Sequence, residues 1–231
     1  MIPLAVIRPE PGCSATATAA QAAGMTAQAH PLFRIEPREW IAPDPAAYDC
    51  LLVGSANVFR HGGAGLEELR ALPVLAVGGA TSQAAREAGF TVAATGSGGL
   101  QKVLDAVESG TRLLRLAGEE RIALAPPPGV TLNERVVYAS RPLPMPESLA
   151  ALLRHPCVVL LHSAEAARHL ASECDRLAIA RTPLRLAALG PRIARAAGEG
   201  WGEVAAAAQM DDAALLALAQ HLCQTAPPKE D

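Results

Sequence analysis

Residues 74–94 read VLAVGGATSQAAREAGFTVAA, and residues 186–206 read LAALGPRIARAAGEGWGEVAA. Each copy is a short apolar run, a Gly (Gly78 or Gly190), a tight turn, an Ala/Arg-rich helix, and a Gly-led return to Val-Ala. A short apolar run bounded by turn residues is the pattern of a strand buried on both faces. Strand–helix–strand units of this kind build parallel sheets covered by helices on both sides. Two copies far apart in the chain therefore predict two similar sheets.

The flanking segments extend the pattern. CLLVGS (50–55), with Asn57 opening a helix, mirrors CVVLLHS (157–163), which leads into a helix to about residue 176. PLAVIR (3–8) reads as a buried strand, 13–23 as a helix stopped by Gly24, and AQAHPLFRI (27–35) as a second strand. HGGAG (61–65) reads as a flexible loop, TVAATG (91–96) and RLLRLAG (112–118) as strands, and 97–110 as a helix. RIALA (121–125) and VTLNERVVYAS (130–140) are expected to be extended, with three consecutive prolines excluding a helix between them. An acid-led helix over 211–224 and a frayed tail, APPKED (226–231), complete the pattern.

This is an α/β chain of two domains, each a parallel sheet flanked by helices. Pro-rich crossings at 36–47 and 138–147 separate the sheets. Residues 1–35 can complete the sheet of 148–231 around an inserted domain, 48–137. The residues alone equally permit a simple tandem.

Composition narrows the function. The chain has 231 residues, half of them hydrophobic, and a net charge of −3 with no basic block, which argues against nucleic acid as a partner. No apolar run approaches a membrane span, and MIPLAVIRPEPG lacks the basic region of a signal peptide, so a cytoplasmic protein is expected. The five cysteines are widely spaced with no C-x-x-C, and the six histidines lack ligand spacing, His162 and His169 included; no metal is expected, and each His reads as structural. No G-x-G-x-x-G or Walker motif is present, and no cofactor is indicated.

Taken in order, VIRPEP, LLVGSANVF, VLAVGGATSQAAREAGF, LLRLAGEER, ERVVYAS, VLLHSAEAARHL and LAALGPRIARAAGEGW resemble the uroporphyrinogen-III synthase family over nearly the whole chain. The resemblance implies two α/β domains joined by a two-stranded linker, the first built from both chain ends, with the active site in the cleft between them. It favours the discontinuous arrangement over the tandem one. It implies a cyclising lyase of tetrapyrrole (heme, porphyrin) biosynthesis. Hydroxymethylbilane loses water, its far ring attacks the resulting azafulvene, and a spiro intermediate recloses with that ring inverted, giving uroporphyrinogen III. It further implies a monomer that receives its substrate from the preceding pathway enzyme.

Such a substrate carries many carboxylates on a flexible chain, so orientation and a proton donor are the main demands. Backbone amides at strand–Gly–helix corners suit anions. Candidate binding residues are therefore Ser55, Ala56 and Asn57; Gly78, Gly79 and Thr81; Gly118 and Glu119; Ser163 and Ala164; and Gly190, Pro191 and Arg192. Ser55, Thr81 and Ser163 add hydroxyls, although helix capping explains them as well. Tyr138 matches the family's linker tyrosine in V-x-Y and is the candidate catalytic acid. Arg8 matches its R-P start and is a candidate carboxylate contact. Two departures stand out. Ile193 occupies the second corner where relatives carry a hydroxyl, leaving backbone amides and Arg192 to act. Residues 119–131 are also too short and Pro-rich for the usual helix. The alternatives are a non-enzymatic two-lobed small-ligand-binding protein, which the low aromatic content argues against for sugars, a two-lobed glycosyltransferase, for which no nucleotide site is visible, and an inactive member of the family.

Overall fold

The computed structural model describes residues 2–224; the tail at 226–231 lies outside the described residues. The chain divides into two compact units. Unit 1 combines the N-terminal segment through Arg34 with the segment from Pro142 onward, and unit 2 is Ile35–Arg141.

In unit 1, β1 (Leu4–Val6), α1 (Gly12–Ala22) and β2 (Ala27–Ala29) come from the N-terminal segment. The later segment supplies α6 (Glu147–Leu153), β9 (Cys157–Leu161), α7 (Ala164–Arg176), β10 (Leu184–Ala188), α8 (Pro191–Ala196), β11 (Glu203–Ala206) and α9 (Asp212–Gln224). Its sheet order is β11-β10-β9-β1-β2, all parallel. β1 lies between β2 and β9, with Leu4 opposite Val158 and Val6 opposite Leu160, so both segments are needed to make one sheet. β1, β9 and β10 are buried at every position, which is why β1 and β9 read as continuous apolar runs rather than alternating ones.

The polar residue inside β10 has a structural use. Arg185 is 2% exposed and donates from Nη1 to the Leu222 carbonyl at 2.7 Å, in the last turn of α9. A cation suits the negative end of a helix.

Unit 2 contains β3 (Phe33–Pro37), whose first residues belong to the preceding segment, then a 3-10 turn (Pro45–Ala47), β4 (Cys50–Val53), α2 (Asn57–His61), α3 (Gly65–Glu68) and β5 (Val74–Val77). It continues with α4 (Gly79–Glu87), β6 (Val92–Gly96), α5 (Leu100–Asp105), β7 (Arg112–Gly118) and β8 (Thr131–Pro142). The order is β3-β8-β7-β4-β5-β6, parallel from β8 through β6.

Four local expectations are corrected. Residues 27–35 do not form one strand: β2 ends at Ala29, β3 begins at Phe33, and the two belong to different sheets. Pro31 lies in the break, where its missing N–H cannot serve a ladder. RIALA is not a strand. HGGAG runs into the short helix α3 at Gly65, and α5 is only six residues long, beginning after the positive-φ pair Gly98-Gly99. The helix α6 follows immediately on a proline-rich stretch, with Leu149, Ala150 and Leu153 facing the core.

No helix occurs between β7 and β8. Side chains pin that connection instead. Gln101 accepts from the Ala125 amide at 3.0 Å and donates to the Ala125 carbonyl at 2.8 Å. Buried Arg115 donates to the Ile122 carbonyl at 2.9 Å and pairs with Glu134, which also holds Arg121 at 2.8 Å.

Glu173 on α7 ties unit 1 together. Its carboxylate accepts from the Met145 amide at 2.6 Å and from Arg176 at 2.7 and 2.8 Å. The Arg176 bonds, helped by the Met145 amide and opposed by burial, hold its pKa down to about 2. Glu173→Gln should destabilise the protein by about 2 kcal/mol, as expected for losing hydrogen bonds to a charged group. Because the folded-state pKa is depressed, the wild-type advantage is complete above the ordinary value of 4.5 and disappears as pH falls toward 2. Urea melts of both proteins at neutral pH and in mild acid measure this; parallel curves at all pH values would contradict it.

Candidate active site

Apart from Tyr138, which lies within a strand, the predicted residues lie at or just beyond the C-terminal ends of the strands in the two units, where open parallel sheets place ligand sites. Each unit is described by itself.

In unit 2 the geometry centres on Tyr138. The residue belongs to β8 and lies opposite Gly118 at the end of β7. Its side chain nevertheless hydrogen-bonds Ser55, which follows β4. The sheet order puts β7 between these strands, so the phenol must cross β7 to reach Ser55. Gly118 makes the crossing possible: a Cβ there would stand 2.7 Å from Tyr138 Cε2 and Cζ and 3.0 Å from the phenol oxygen. Burial pushes the Tyr138 pKa up, opposed by the Ser55 hydrogen bond and by the Arg115 charge. The phenol is therefore protonated at neutral pH, able to donate and unable to act as a base.

Ser55 has a second bond. Its oxygen accepts from the Asn57 amide at 3.2 Å at the start of α2. Both Ser55 and Tyr138 are hydroxyls, so either can supply the hydrogen between them. Ala56 is buried and Asn57 half-buried beside it.

The Gly78 corner is a helix N-terminus. Gly78 has φ +83, a left-handed conformation that favours glycine, and its carbonyl accepts from the Ser82 amide at 3.2 Å. The amides of Gly79, Ala80 and Thr81 fall in the first helical turn, where no intrahelical acceptor exists. Gly79 and Ala80 are exposed; Thr81 is buried, and the neighbouring Ser82 hydroxyl bonds Thr95 at 2.6 Å.

No helix follows the Gly118-Glu119 corner, as the short, Pro-rich 119–131 segment predicts, but the Glu119 amide, expected to lie open to a ligand, donates to the Tyr138 carbonyl at 2.9 Å. The Glu119 carboxylate pairs with Arg141 at 3.1 Å and Arg38 at 3.6 Å. Glu119 thus offers no free amide; the corner serves through Gly118 and what it admits. A separate cavity of about 500 Å³ in unit 2, lined by Cys50, Leu75, Thr95, Lys102 and Val103 among others, contains none of the predicted residues.

In unit 1 the Ser163 hydroxyl caps α7, accepting from the Ala166 amide at 3.0 Å, with Ala164 buried behind it. At Gly190 the amides are largely committed: Pro191 has none, and those of Ile193 and Ala194 donate to the Gly190 carbonyl at 3.0 and 3.1 Å. The Ile193 side chain is buried in the unit 1 core. Of this corner Arg192 remains, exposed and without an ion-pair partner among the described residues. Arg8, after β1, donates to Asp212 at 3.2 Å and to Thr16 at 3.4 Å.

Sequence spacing gives His162 a structural reading, yet both ring nitrogens are buried without a hydrogen-bond partner, and Nε2 stands 3.7 Å from Asp212 Oδ1. Burial, assisted by the Arg8 charge, holds its pKa down to about 3, so the ring is neutral. Nothing in the sequence distinguishes it, because His162 meets Asp212 only through the fold. Among the described residues no cluster of His, Cys, Asp or Glu could hold a metal, and no helix is long and apolar enough to cross a membrane.

Two parallel α/β sheets, with small residues, hydroxyls and helix N-termini at their strand ends, define a ligand-handling α/β protein of the doubly wound class. The family model described as uroporphyrinogen-III synthase HemD matches residues 14–217, and the chain belongs to that family. Its enzymes cyclise hydroxymethylbilane, a lyase reaction of tetrapyrrole biosynthesis. Among solved structures, uroporphyrinogen-III synthetase from Helicobacter pylori 26695 is similar with TM-score 0.61 and 16% identity over 96% of this chain and 100% of that one. A mutant uroporphyrinogen III synthase from the extremely thermophilic bacterium Thermus thermophilus follows at TM-score 0.51 and 18% identity, over 97% and 99%. At such identities these likenesses concern the fold. A search of curated proteins gives no match. Family membership disfavours the binding-protein and glycosyltransferase alternatives.

Proposed function

We propose that this chain converts hydroxymethylbilane to uroporphyrinogen III with Tyr138 as the proton donor to the departing hydroxyl. The observation that carries the assignment is the phenol laid across Gly118 to Ser55 with its pKa raised. Water loss needs a protonated group held against a polar leaving group, and a buried phenol that keeps its hydrogen at neutral pH can supply it. Closure with ring inversion then depends on holding the two ends of the bilane together.

The substrate carboxylates have several partners in this reading. The amides of Gly79, Ala80 and Thr81 at α4 supply fixed partial charge, and Arg8 and Arg192 supply guanidinium forks. Ser163 acts through α7, whose N-terminus it caps. Fixed dipoles and few cations bind a polyanion without trapping the product.

A reducing, cytoplasmic setting fits the five free, buried cysteines. Burial pushes Cys13 and Cys157 up to about 12 and Cys174 up to about 11, so these thiols are unreactive. The protein acts as a monomer in this reading, taking its substrate from the enzyme that makes hydroxymethylbilane.

Supplying enzymatically generated hydroxymethylbilane and separating the products tests the function. The III isomer is expected to dominate. Only the I isomer, at the spontaneous rate, would overturn it.

A further inference from the structure

We propose that Arg8 and His162 form a carboxylate-binding subsite on unit 1 that Asp212 occupies when substrate is absent. The assignment of this subsite to the bilane rests on the synthase reading above.

Three observations converge on it. First, His162 is the last residue before the Ser163 cap of α7, its side chain only 9% exposed, and both ring nitrogens lack partners. Buried polar groups are nearly always satisfied, and an orphaned imidazole needs a reason. Its Nε2 faces Asp212 Oδ1 at 3.7 Å, too long for a hydrogen bond. Second, the other oxygen of the same carboxylate, Oδ2, is held by Arg8 Nη1 at 3.2 Å. One carboxylate thus lies between a guanidinium and an N–H-bearing ring, and fits the second poorly. Third, Asp212 is spared the capping of its helix. Asp211 performs the capping of α9, its Oδ1 accepting from the Ala214 amide at 2.8 Å and its carbonyl from the Leu215 amide at 3.1 Å.

Asp212 is also 59% exposed on its side chain, so the ion pair it makes is a weak one. A free carboxylate can come closer than one tethered to a helix. It would take both the Arg8 fork and a donated hydrogen bond from the His162 ring, and Asp212 would swing to solvent. The neutral state of His162 suits this: it contributes a directed donor without a second buried charge, so binding and release both remain feasible. The internal carboxylate keeps Arg8 in position between turnovers and competes with the substrate for it.

The experiment compares wild type, Asp212→Asn, His162→Leu, His162→Gln and the double variant Asp212→Asn/His162→Leu. Two readouts are used: citrate titrated against the His162 ring signals in NMR (or by calorimetry for the Leu variants), and KM for hydroxymethylbilane. Asp212→Asn should tighten citrate and lower KM by roughly fivefold, and His162→Leu should weaken both by roughly tenfold, the loss of one hydrogen bond to a charged group. His162→Gln, which keeps a donor, should recover most of that loss. The Asp212→Asn gain should shrink in the His162→Leu background, since a long-range charge effect would persist there unchanged. Equal citrate affinity in wild type and Asp212→Asn, or a gain indifferent to residue 162, would overturn the subsite. The isomer assay separates the two claims. Formation of the III isomer with no Asp212→Asn effect rejects the subsite alone. Citrate tightening with only the I isomer keeps the subsite and rejects the synthase reading.

Discussion

Tyr138→Phe should lower kcat for uroporphyrinogen III formation by about 10²-fold, the low end of what a positioned general acid contributes. The substitution removes one oxygen and leaves the ring against the core cluster that includes Val137, Leu116 and Val53. Stability should therefore change little, and a thermal melt close to wild type is the control. KM should move less than kcat, because the phenol is assigned to leaving-group departure rather than to carboxylate binding. Ser55→Ala is the companion variant. It removes the phenol's hydroxyl partner and the acceptor for the Asn57 amide, and about a tenfold loss is expected, because Tyr138 keeps its proton but loses its aim. The pH dependence has a defined sign. The active form of Tyr138 is protonated, and burial raises its pKa above the ordinary 10.0. The limb of the rate profile due to this group should thus be flat through neutrality and fall only above the ordinary tyrosine range. A Tyr138→Phe enzyme with full turnover would remove Tyr138 as the acid and leave orientation to account for catalysis.

The architecture was legible because the interior strands are short, buried and almost wholly apolar. CLLV, CVVLL and the LAA of β10 are buried on both faces, and such runs bounded by Gly or Ser have few other readings. What failed was local. Residues 27–35 read as one strand because alternation survives a proline on paper; in three dimensions Pro31 is where the chain leaves one sheet for the other. The site was half legible. Tyr138, Ser55 and Gly118 each stand out in the sequence, but as separate corners, since their convergence depends on β7 lying between β8 and β4, and strand order is not written in any local pattern. Glu119 misleads for the same reason. The corner reads as backbone open to a ligand, but here the Glu119 amide completes the ladder to Tyr138. His162 shows the opposite error. Spacing rules look for ligands in sequence, whereas its neighbours Arg8 and Asp212 come from the two ends of unit 1.

The Gly118→Ala variant separates the position of the Tyr138 ring from its chemistry. A single methyl group at residue 118 would stand 2.7 Å from two ring carbons, closer than real side-chain contacts permit, so the ring must move. It is the side chain and not the backbone that yields, because the β7–β8 ladder and the Glu119 amide bond to the Tyr138 carbonyl fix the main chain. Displacing the ring by about 1 Å takes the phenol out of line with Ser55 and with the leaving group, and misplacement of that size can cost roughly 10²-fold in rate. Gly118→Ala should thus approach Tyr138→Phe in kcat while keeping its phenol. The stability cost of the crowding should be about 1–3 kcal/mol, readable in the same melts. The double variant decides what the effect means. If both substitutions act through the one hydroxyl, Gly118→Ala adds little to Tyr138→Phe, and the interaction energy is large. If the losses multiply, Gly118 contributes separately, by admitting the substrate itself close to the end of β7. A fully active Gly118→Ala enzyme would show that the ring need not lie where the structure puts it, and the proton-donor assignment would fall with it.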